Sequence, residues 1–443
     1  MTAKNSPEHL TLCDSGAEPR DPPTLQLSPE PPSPVWLVEV SDEVGTRRWP
    51  IEEGERLLFG TGPAADVRLS DPLVSGQHGR LSVERGALWV EDVGSLNGTF
   101  AAGGVRVVGR ARVEPNGCFL AGRSVITAQP FRDEGEGALA EAPLEGLIGE
   151  SLAMRRVAGL VRRLAPLRAP VLVQGETGTG KELVAQSLHR LGPRRAAPLV
   201  ALNAAALTGE LVDSELFGHE KGAFTGAVAA SSGAFEAARG GTLFLDEIAE
   251  LAPVGQAKLL RALESGEVRA VGSTRPKRVD VRVVAASWAP LGALVRRGAF
   301  REDLFHRIAV FSVALPPLRE RRADVPALAR AFVRQAESEM GRRFELSPSA
   351  LSRLVAHRWP GNVRELRAAV LRAALRAGDG RIGAREVHAA LGEAGGSEPA
   401  AEPTKLERRS QVRAVLAAHR GSVSATAREL GIARSTVRAW LGR

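Results

Sequence analysis

The stretch Pro170–Glu182, PVLVQGETGTGKE, restricts the possible folds of this chain more than any other. An apolar run of strand type passes into a glycine-rich loop, and the loop opens on a helical pattern, KELVAQSLHRL. That order is the context a phosphate-binding loop requires. Glycines let backbone N–H groups turn inward around phosphates. Lys181 adds a point charge for the β- and γ-phosphates, and a helix N-terminus favours an anion. Gly175, Glu176, Thr177, Gly178, Thr179, Gly180, Lys181 and Glu182 are therefore candidate ATP contacts. The general pattern next asks for Ser or Thr to hold Mg²⁺, and Glu182 stands there instead. A glycine-rich turn with a chance lysine is the alternative, and a second motif argues against it. GGTLFLDE reads as a buried strand ending in Asp246 and Glu247. Asp246 can hold Mg²⁺ there, and Glu247 can polarise an attacking water.

The periodicity divides the 443 residues into parts. Residues 1–35 are rich in Pro, Ser and Glu and cannot bury enough apolar surface to order themselves. Residues 36–132 carry short alternating runs (VWLVEV, RLLFG, ALWVEDV) broken by Gly, Asn and Pro, which predicts an all-β sandwich. A linker is expected over 133–146. From 147 strands alternate with helices, which predicts an α/β unit with a mainly parallel sheet to about 318, then a helical lid to 385. A second linker, 386–404, leads to short helices over 405–443. Those last 39 residues hold nine Lys or Arg and two Glu, a local excess of about +7 that attracts phosphate backbones. A solvated basic helix would carry the same charge. The net charge of +8 is less informative, because 53 Arg, 6 Lys and no Tyr reflect a composition bias.

With these motifs in place, residues 147–385 resemble the AAA+ ATPase domain of sigma-54-dependent transcriptional activators, the bacterial enhancer-binding proteins. The resemblance rests on GETGTGKE, LNAAAL, SELFGHEKGAFTGA, GGTLFLDEIAEL, FREDLFHRI, LPPLRERRADV and WPGNVREL. It implies ATP and Mg²⁺ as cofactors and a homo-oligomeric, hexameric ring. Packing alone would make Phe224, between two glycines, a buried ring. The resemblance instead makes Phe224 and Thr225 contacts to the sigma-54 RNA polymerase holoenzyme, on a loop that moves with the nucleotide state. It also implies that Asn203 restrains the catalytic Glu247. Arg301 and Arg307 would act on a neighbouring subunit's ATP, and Arg364 would sense nucleotide from the lid. One departure stands out: where the family reads AATN the chain reads AASW, so Ser287 and Trp288 replace Thr and Asn.

FGTGPAADVRLSDPLVSGQHGRL and VEDVGSLNGTF resemble a forkhead-associated (FHA) domain. Ser75 and Asn97 match positions that bind phosphothreonine peptides, and His78 matches a structural residue. The usual arginines are missing, with Thr61 after Gly60 and Gly76 after Ser75, and losing a bidentate guanidinium weakens phosphate recognition. A weak phosphothreonine binder and a protein-contact or dimer module both remain open. SVSATARELGIARSTVRAWLGR resembles a Fis-type helix-turn-helix, in which Arg434, Ser435 and Arg438 would face double-stranded DNA. A helical hairpin for oligomer contacts is the other reading.

The expected architecture is thus an all-β FHA sandwich, an α/β AAA+ P-loop ATPase with a helical lid, and an all-α helix-turn-helix. The expected function is ATP-driven remodelling of sigma-54 polymerase. Two rivals are a non-catalytic DNA-binding scaffold with a lapsed ATPase, favoured only by Trp288, and another AAA+ remodeller, against which GAFTGA argues. No apolar run reaches about 18 residues and no signal-type start is present, so a cytoplasmic protein without a membrane span is expected. Cys13 and Cys118 support neither a disulfide framework nor a zinc site.

Overall fold

The computed structural model describes residues 35–131, 142–206, 210–223 and 227–392. The helix-turn-helix with Arg434, Ser435 and Arg438, the first 34 residues, and Phe224 and Thr225 lie outside the described residues.

The first unit is a two-sheet sandwich. Its strands are β1 (Val35–Ser41), β2 (Thr46–Ile51), β3 (Arg56–Gly60), β4 (Val67–Arg68), β5 (Gly79–Glu84), β6 (Ala87–Asp92), β7 (Thr99–Ala101), β8 (Val105–Arg106), β9 (Arg110–Val113), β10 (Gly117–Ala121) and β11 (Ser124–Phe131). One sheet runs β2-β1-β11-β10-β7-β8 and the other β4-β3-β5-β6-β9. Alternation decides what each face of the first sheet meets. Trp36, Val38, Val40, Phe119, Ala121, Ile126 and Ala128 point into the sandwich core. The intervening Leu37, Cys118, Leu120 and Val125 are also buried, but in cores shared with the rest of the chain. This explains the continuous apolar runs CFLA and VITA, which exceed what one buried face needs.

The second unit is a parallel sheet flanked by helices. Helix α1 (Leu152–Leu164) precedes β12 (Val171–Gln174), α2 (Lys181–Arg190), β13 (Leu199–Asn203) and β14 (Thr242–Asp246). Then come α3 (Pro253–Ser265), β15 (Arg282–Ser287), α4 (Glu302–Ile308) and β16 (Phe311–Ala314). The strand order β13-β14-β15-β12-β16, with every pairing parallel, places the P-loop strand β12 beside β15 and near β14. Ligands bind such sheets at the carboxyl ends of the strands.

The lid packs α5 (Val325–Met340), α6 (Pro348–Ala356), α7 (Asn362–Arg376) and α8 (Ala384–Gly392) around Trp359, Leu366 and Val370. Helix α8 crosses the boundary placed at 385, because Val387 and Ala390 are buried in the lid core.

Polar groups reinforce the sandwich's seat on the ATPase. Glu39 accepts the Leu152 N–H at 2.9 Å while pairing with Arg48 at 2.8 Å. Glu150 accepts the Thr46 N–H at 3.1 Å. The fully enclosed Asp324 accepts from the backbone of Glu150 and Ser151 and from the Ser151 hydroxyl, all at 2.8 Å. Burial pushes the Asp324 and Glu39 carboxyls up, against the pull of Arg321 and Arg48 respectively. Arg330 adds a bond to the Asp42 carbonyl, and Arg123 pairs with Glu345 at 2.7 Å.

Candidate functional site

The loop between β12 and α2 has the backbone its sequence requires. Gly178 and Gly180 have φ of 79° and 106°. A Cβ on Gly178 would stand 2.4 Å from the Gly361 carbonyl oxygen, so the lid backbone approaches where only glycine fits. Lys181 is buried, and its ammonium donates to the carbonyls of Gly175 at 2.9 Å and Glu176 at 3.2 Å. Burial lowers its pKa, while Asp246 and Glu247 pull it upward. A charged amine held inside the loop, with two carboxylates close by, suits a triphosphate and its divalent cation.

These groups line one cleft of about 440 Å³. The loop residues Thr177–Glu182 form one wall, Asp246 and Glu247 the floor, and Arg364 with Val363 the lid side. Gly175 and Glu176 sit at the root of the loop. Asp246 ends β14, and Glu247 follows in the left-handed region with φ 54°. Asn203 ends β13 directly opposite Asp246 in register, but its side-chain oxygen accepts the Ala205 N–H at 2.9 Å. Thus Asn203 stands next to the site with its carbonyl engaged in its own turn.

Arg301 and Arg307 are not in that cleft. Both are exposed on the region around α4. Arg301 makes two bonds to Asp303, at 3.0 and 2.7 Å, and Arg307 holds the Leu263 carbonyl at 2.9 Å. Trp288 follows β15 with half its surface open, and its indole donates to Glu250 at 3.2 Å.

Sequence reasoning did not single out the connection between the loop and the lid. Glu176 receives two bonds from Arg319, at 2.9 and 2.7 Å, which hold its carboxyl below the usual range. Asn362, completely buried at φ 53°, donates to Glu176 and to the Thr177 carbonyl at 3.1 Å. Its side-chain oxygen accepts the Leu318 N–H at 2.8 Å, and Val363 N–H reaches the Gly178 carbonyl. Arg321, also unforeseen, lines the cleft and donates to the Thr179 carbonyl. The asparagine before Val-Arg-Glu-Leu was visible in WPGNVREL, but its target lies 186 residues away.

At the other candidate surfaces the structure is selective. The Gly222 N–H bonds to the Ala227 carbonyl at 2.9 Å, so the two described ends of the GAFTGA loop meet. His219 braces that base through Ser214 and the Ala229 carbonyl. On the sandwich rim, Ser75 and Asn97 lie on adjacent loops. The Ser75 hydroxyl accepts the Leu96 N–H at 3.0 Å, and Asn97 donates to the Leu73 carbonyl at 2.7 Å. His78 is fully buried beneath them and accepts from the Ser75 N–H. Thr61 turns its hydroxyl to the Val74 carbonyl.

Among the described residues no helix is long and apolar enough to cross a membrane, and no cluster of metal-ligating side chains was found.

Comparison with known proteins agrees with this layout. Residues 57–118 match the FHA domain family, 147–314 the sigma-54 interaction domain, 319–404 the AAA+ ATPase lid domain, and 409–441 the Fis family of bacterial regulatory proteins. The Nif-specific regulatory protein of Azotobacter vinelandii is 49% identical over 257 residues, 58% of this chain and 49% of that protein. The transcriptional regulatory protein ZraR of Klebsiella oxytoca is 44% identical over 304 residues, 67% of this chain and 69% of that protein. NtrX from Brucella abortus, solved in complex with ATP, superposes with a TM-score of 0.53 at 34% identity, covering 67% of this chain and 69% of NtrX. The chain spans about half the length of the Nif-specific regulator it matches. By these matches and by the order of its domains, the chain belongs to the sigma-54-dependent transcriptional regulators with a central AAA+ domain.

Proposed function

We propose that this protein is a sigma-54-dependent transcription activator that hydrolyses ATP in a ring to remodel RNA polymerase–sigma-54 at promoters, binds upstream DNA, and is regulated through its FHA module. The observation that carries this reading is the cleft that joins Lys181, Asp246, Glu247 and Arg364, with the GAFTGA loop rooted on the same sheet unit. Lys181 and the loop amides hold the phosphates, and Glu247 orients and deprotonates the attacking water. Asp246 would hold Mg²⁺, which neutralises charge on the phosphate oxygens. Glu182, exposed at the cleft mouth, stands where the general pattern has a hydroxyl ligand.

Asn203 restrains Glu247 until the partner engages, and to do so its side chain must leave the turn bond it makes to the Ala205 N–H. Arg301 and Arg307 serve the next subunit's site, which their absence from their own cleft supports. Phe224 and Thr225 engage sigma-54, and Arg434, Ser435 and Arg438 read DNA. The domains run 36–132, 147–392 with helix α8 included, and 405–443. Ser75 and Asn97 receive a phosphothreonine protein, weakly, because neither Thr61 nor Gly76 supplies a guanidinium.

Promoter opening tests the whole reading. Purified protein, sigma-54 holoenzyme and a promoter with an upstream site should give open complexes only with hydrolysable ATP. Steady ATP turnover without open complexes would overturn the sigma-54 assignment. No turnover at any protein concentration would favour the lapsed-ATPase scaffold that Trp288 suggests.

A further inference from the structure

Beside the sandwich rim lies a cleft of about 370 Å³ that the ATP site does not use. Leu73, Asn97, Phe100 and Leu120 form its sandwich wall, and Pro348 with Ser352 of α6 form the lid wall. Its lining is mostly apolar, with polar groups at particular points. Ser352 is only 8% exposed and its hydroxyl oxygen is closed off from solvent, so it serves the lid wall as a small packed side chain. At the mouth, Asn97 uses one amide hydrogen on Leu73 and keeps its carbonyl oxygen available. The Ser75 hydroxyl accepts from Leu96, which leaves its own proton to donate. Leu96 itself is 87% exposed on the same rim.

A cation stands on the adjoining hairpin, beside the cleft rather than in its lining. Arg106 on β8 pairs across from Phe100, so both side chains share one face of the hairpin. Its guanidinium lies over the Asn97–Gly98 turn, and a Cβ on Gly98 would come within 2.8 Å of Nε. Among the described residues Arg106 makes no salt bridge to a carboxylate. A cation, a free hydroxyl proton and an amide carbonyl beside an apolar trough fit a peptide with a phosphate on one residue and an apolar side chain further along.

We propose that this cleft is a composite peptide site, built half by the sandwich rim and half by lid helix α6, for a phosphothreonine peptide. The apolar side chain enters between Phe100 and Pro348 over the small Ser352, and Arg106 supplies the guanidinium that positions 61 and 76 lack. A ligand seated there touches the ATPase lid directly. The proposal rests on the phosphothreonine reading of Ser75 and Asn97, and the test separates the two.

Full-length protein is titrated with a phosphothreonine peptide library of varied flanking residues and with its unphosphorylated counterpart. The best peptide should be weakened at least about tenfold by Ser349→Glu, which places a carboxylate on the exposed lid edge, and by Ser352→Leu, which fills the trough. Arg106→Ala should weaken it similarly, with partial rescue in Arg106→Lys. Unchanged basal ATP turnover reports that each lid variant is folded. Should Ser352→Leu fail that check, Ser349→Glu alone decides. Binding that the lid variants leave intact overturns the composite site while the rim reading stands. Failure of every phosphopeptide to bind below about 1 mM overturns the rim reading and the composite site with it. Equal binding of the unphosphorylated library overturns the phosphate assignment and with it the role of Arg106.

Discussion

Glu247 occupies a left-handed backbone conformation that costs a residue with a Cβ about 1 kcal/mol or more, and it does so beside the Asp246 carboxylate. The turn that bears this strain directs the residue toward the phosphate loop. Glu247→Gln keeps the shape and removes the proposed base. ATP binding should persist while turnover falls at least about a hundredfold, as fluorescent-nucleotide titration and steady-state assays will show. Turnover within threefold of the parent would remove Glu247 from the base role. Asn362 poses a different question, since it touches loop and lid but no reacting atom. The Arg319–Glu176 pair is about 40% exposed on each side, so by itself it contributes roughly 0–1 kcal/mol. The completely buried Asn362 amide, with bonds to Glu176, Thr177 and Leu318, contributes more. Asn362→Gly tolerates φ 53° and so deletes only the side chain. Its apparent affinity for ATP should fall roughly tenfold, equivalent to about 1.4 kcal/mol, with kcat nearly unchanged. A collapse of kcat at constant affinity would mean that the lid bond positions the reaction rather than the nucleotide.

Turns and loops show how far local sequence reaches. The β6–β7 turn is organised by Asp92, whose two oxygens accept from Gly94, from the backbone and hydroxyl of Ser95, and from the backbone and hydroxyl of Thr99. Burial alone would raise this carboxyl, but those donors outweigh it and hold the pKa at about 2. A depressed carboxylate stabilises the fold above its unfolded pKa near 4 and loses that contribution as pH falls toward 2. Asp92→Asn should therefore destabilise the sandwich by roughly 2 kcal/mol at neutral pH, and the gap should close near pH 2 in denaturant melts. A gap independent of pH would assign the effect to shape rather than charge.

The phosphate loop, the Asp246–Glu247 strand end and the SLNG turn were legible because each is a local pattern whose partners lie a few residues away. The loop–lid bonds and the second buried face of β10 and β11 were not, since their partners lie far along the chain. CFLA and VITA carried a hint of that face, but apolar content alone does not say what covers it. The GAFTGA loop falls between these cases: its root at Gly222 and Ala227 is built by local bonds, while the proposed role of its tip needs a partner outside the chain. Phe224→Ala or Thr225→Ala should leave ATP turnover within about twofold and abolish sigma-54 capture in the presence of a transition-state analogue. Lost turnover with retained capture would show that the tip serves the nucleotide site.

At the scale of the whole molecule, the sandwich is seated on the ATPase by apolar contacts as well as polar ones. Leu37, Leu120 and Val125 each gain about 1.5–3 kcal/mol as an upper estimate, which exceeds what the exposed Arg123–Glu345 pair can add. The seat leaves the face around α4 uncovered, where the exposed Arg301 and Arg307 lie outside their own nucleotide cleft. If those arginines complete a neighbour's site, each active centre needs two chains, and two inactive variants should rescue one another. Lys181→Ala lacks a working loop but keeps both arginines. The double variant Arg301→Ala, Arg307→Ala keeps the loop but has nothing to offer its neighbour, and should lose on the order of 10³-fold in turnover. Random co-assembly in equal amounts places an intact loop beside intact arginines at roughly one quarter of interfaces, so about a quarter of the parent activity should return. Turnover per chain should also rise with protein concentration in the parent, because a separated chain has no complete site. Independent chains would show neither effect: the mixture would remain inactive, and specific activity would be flat on dilution.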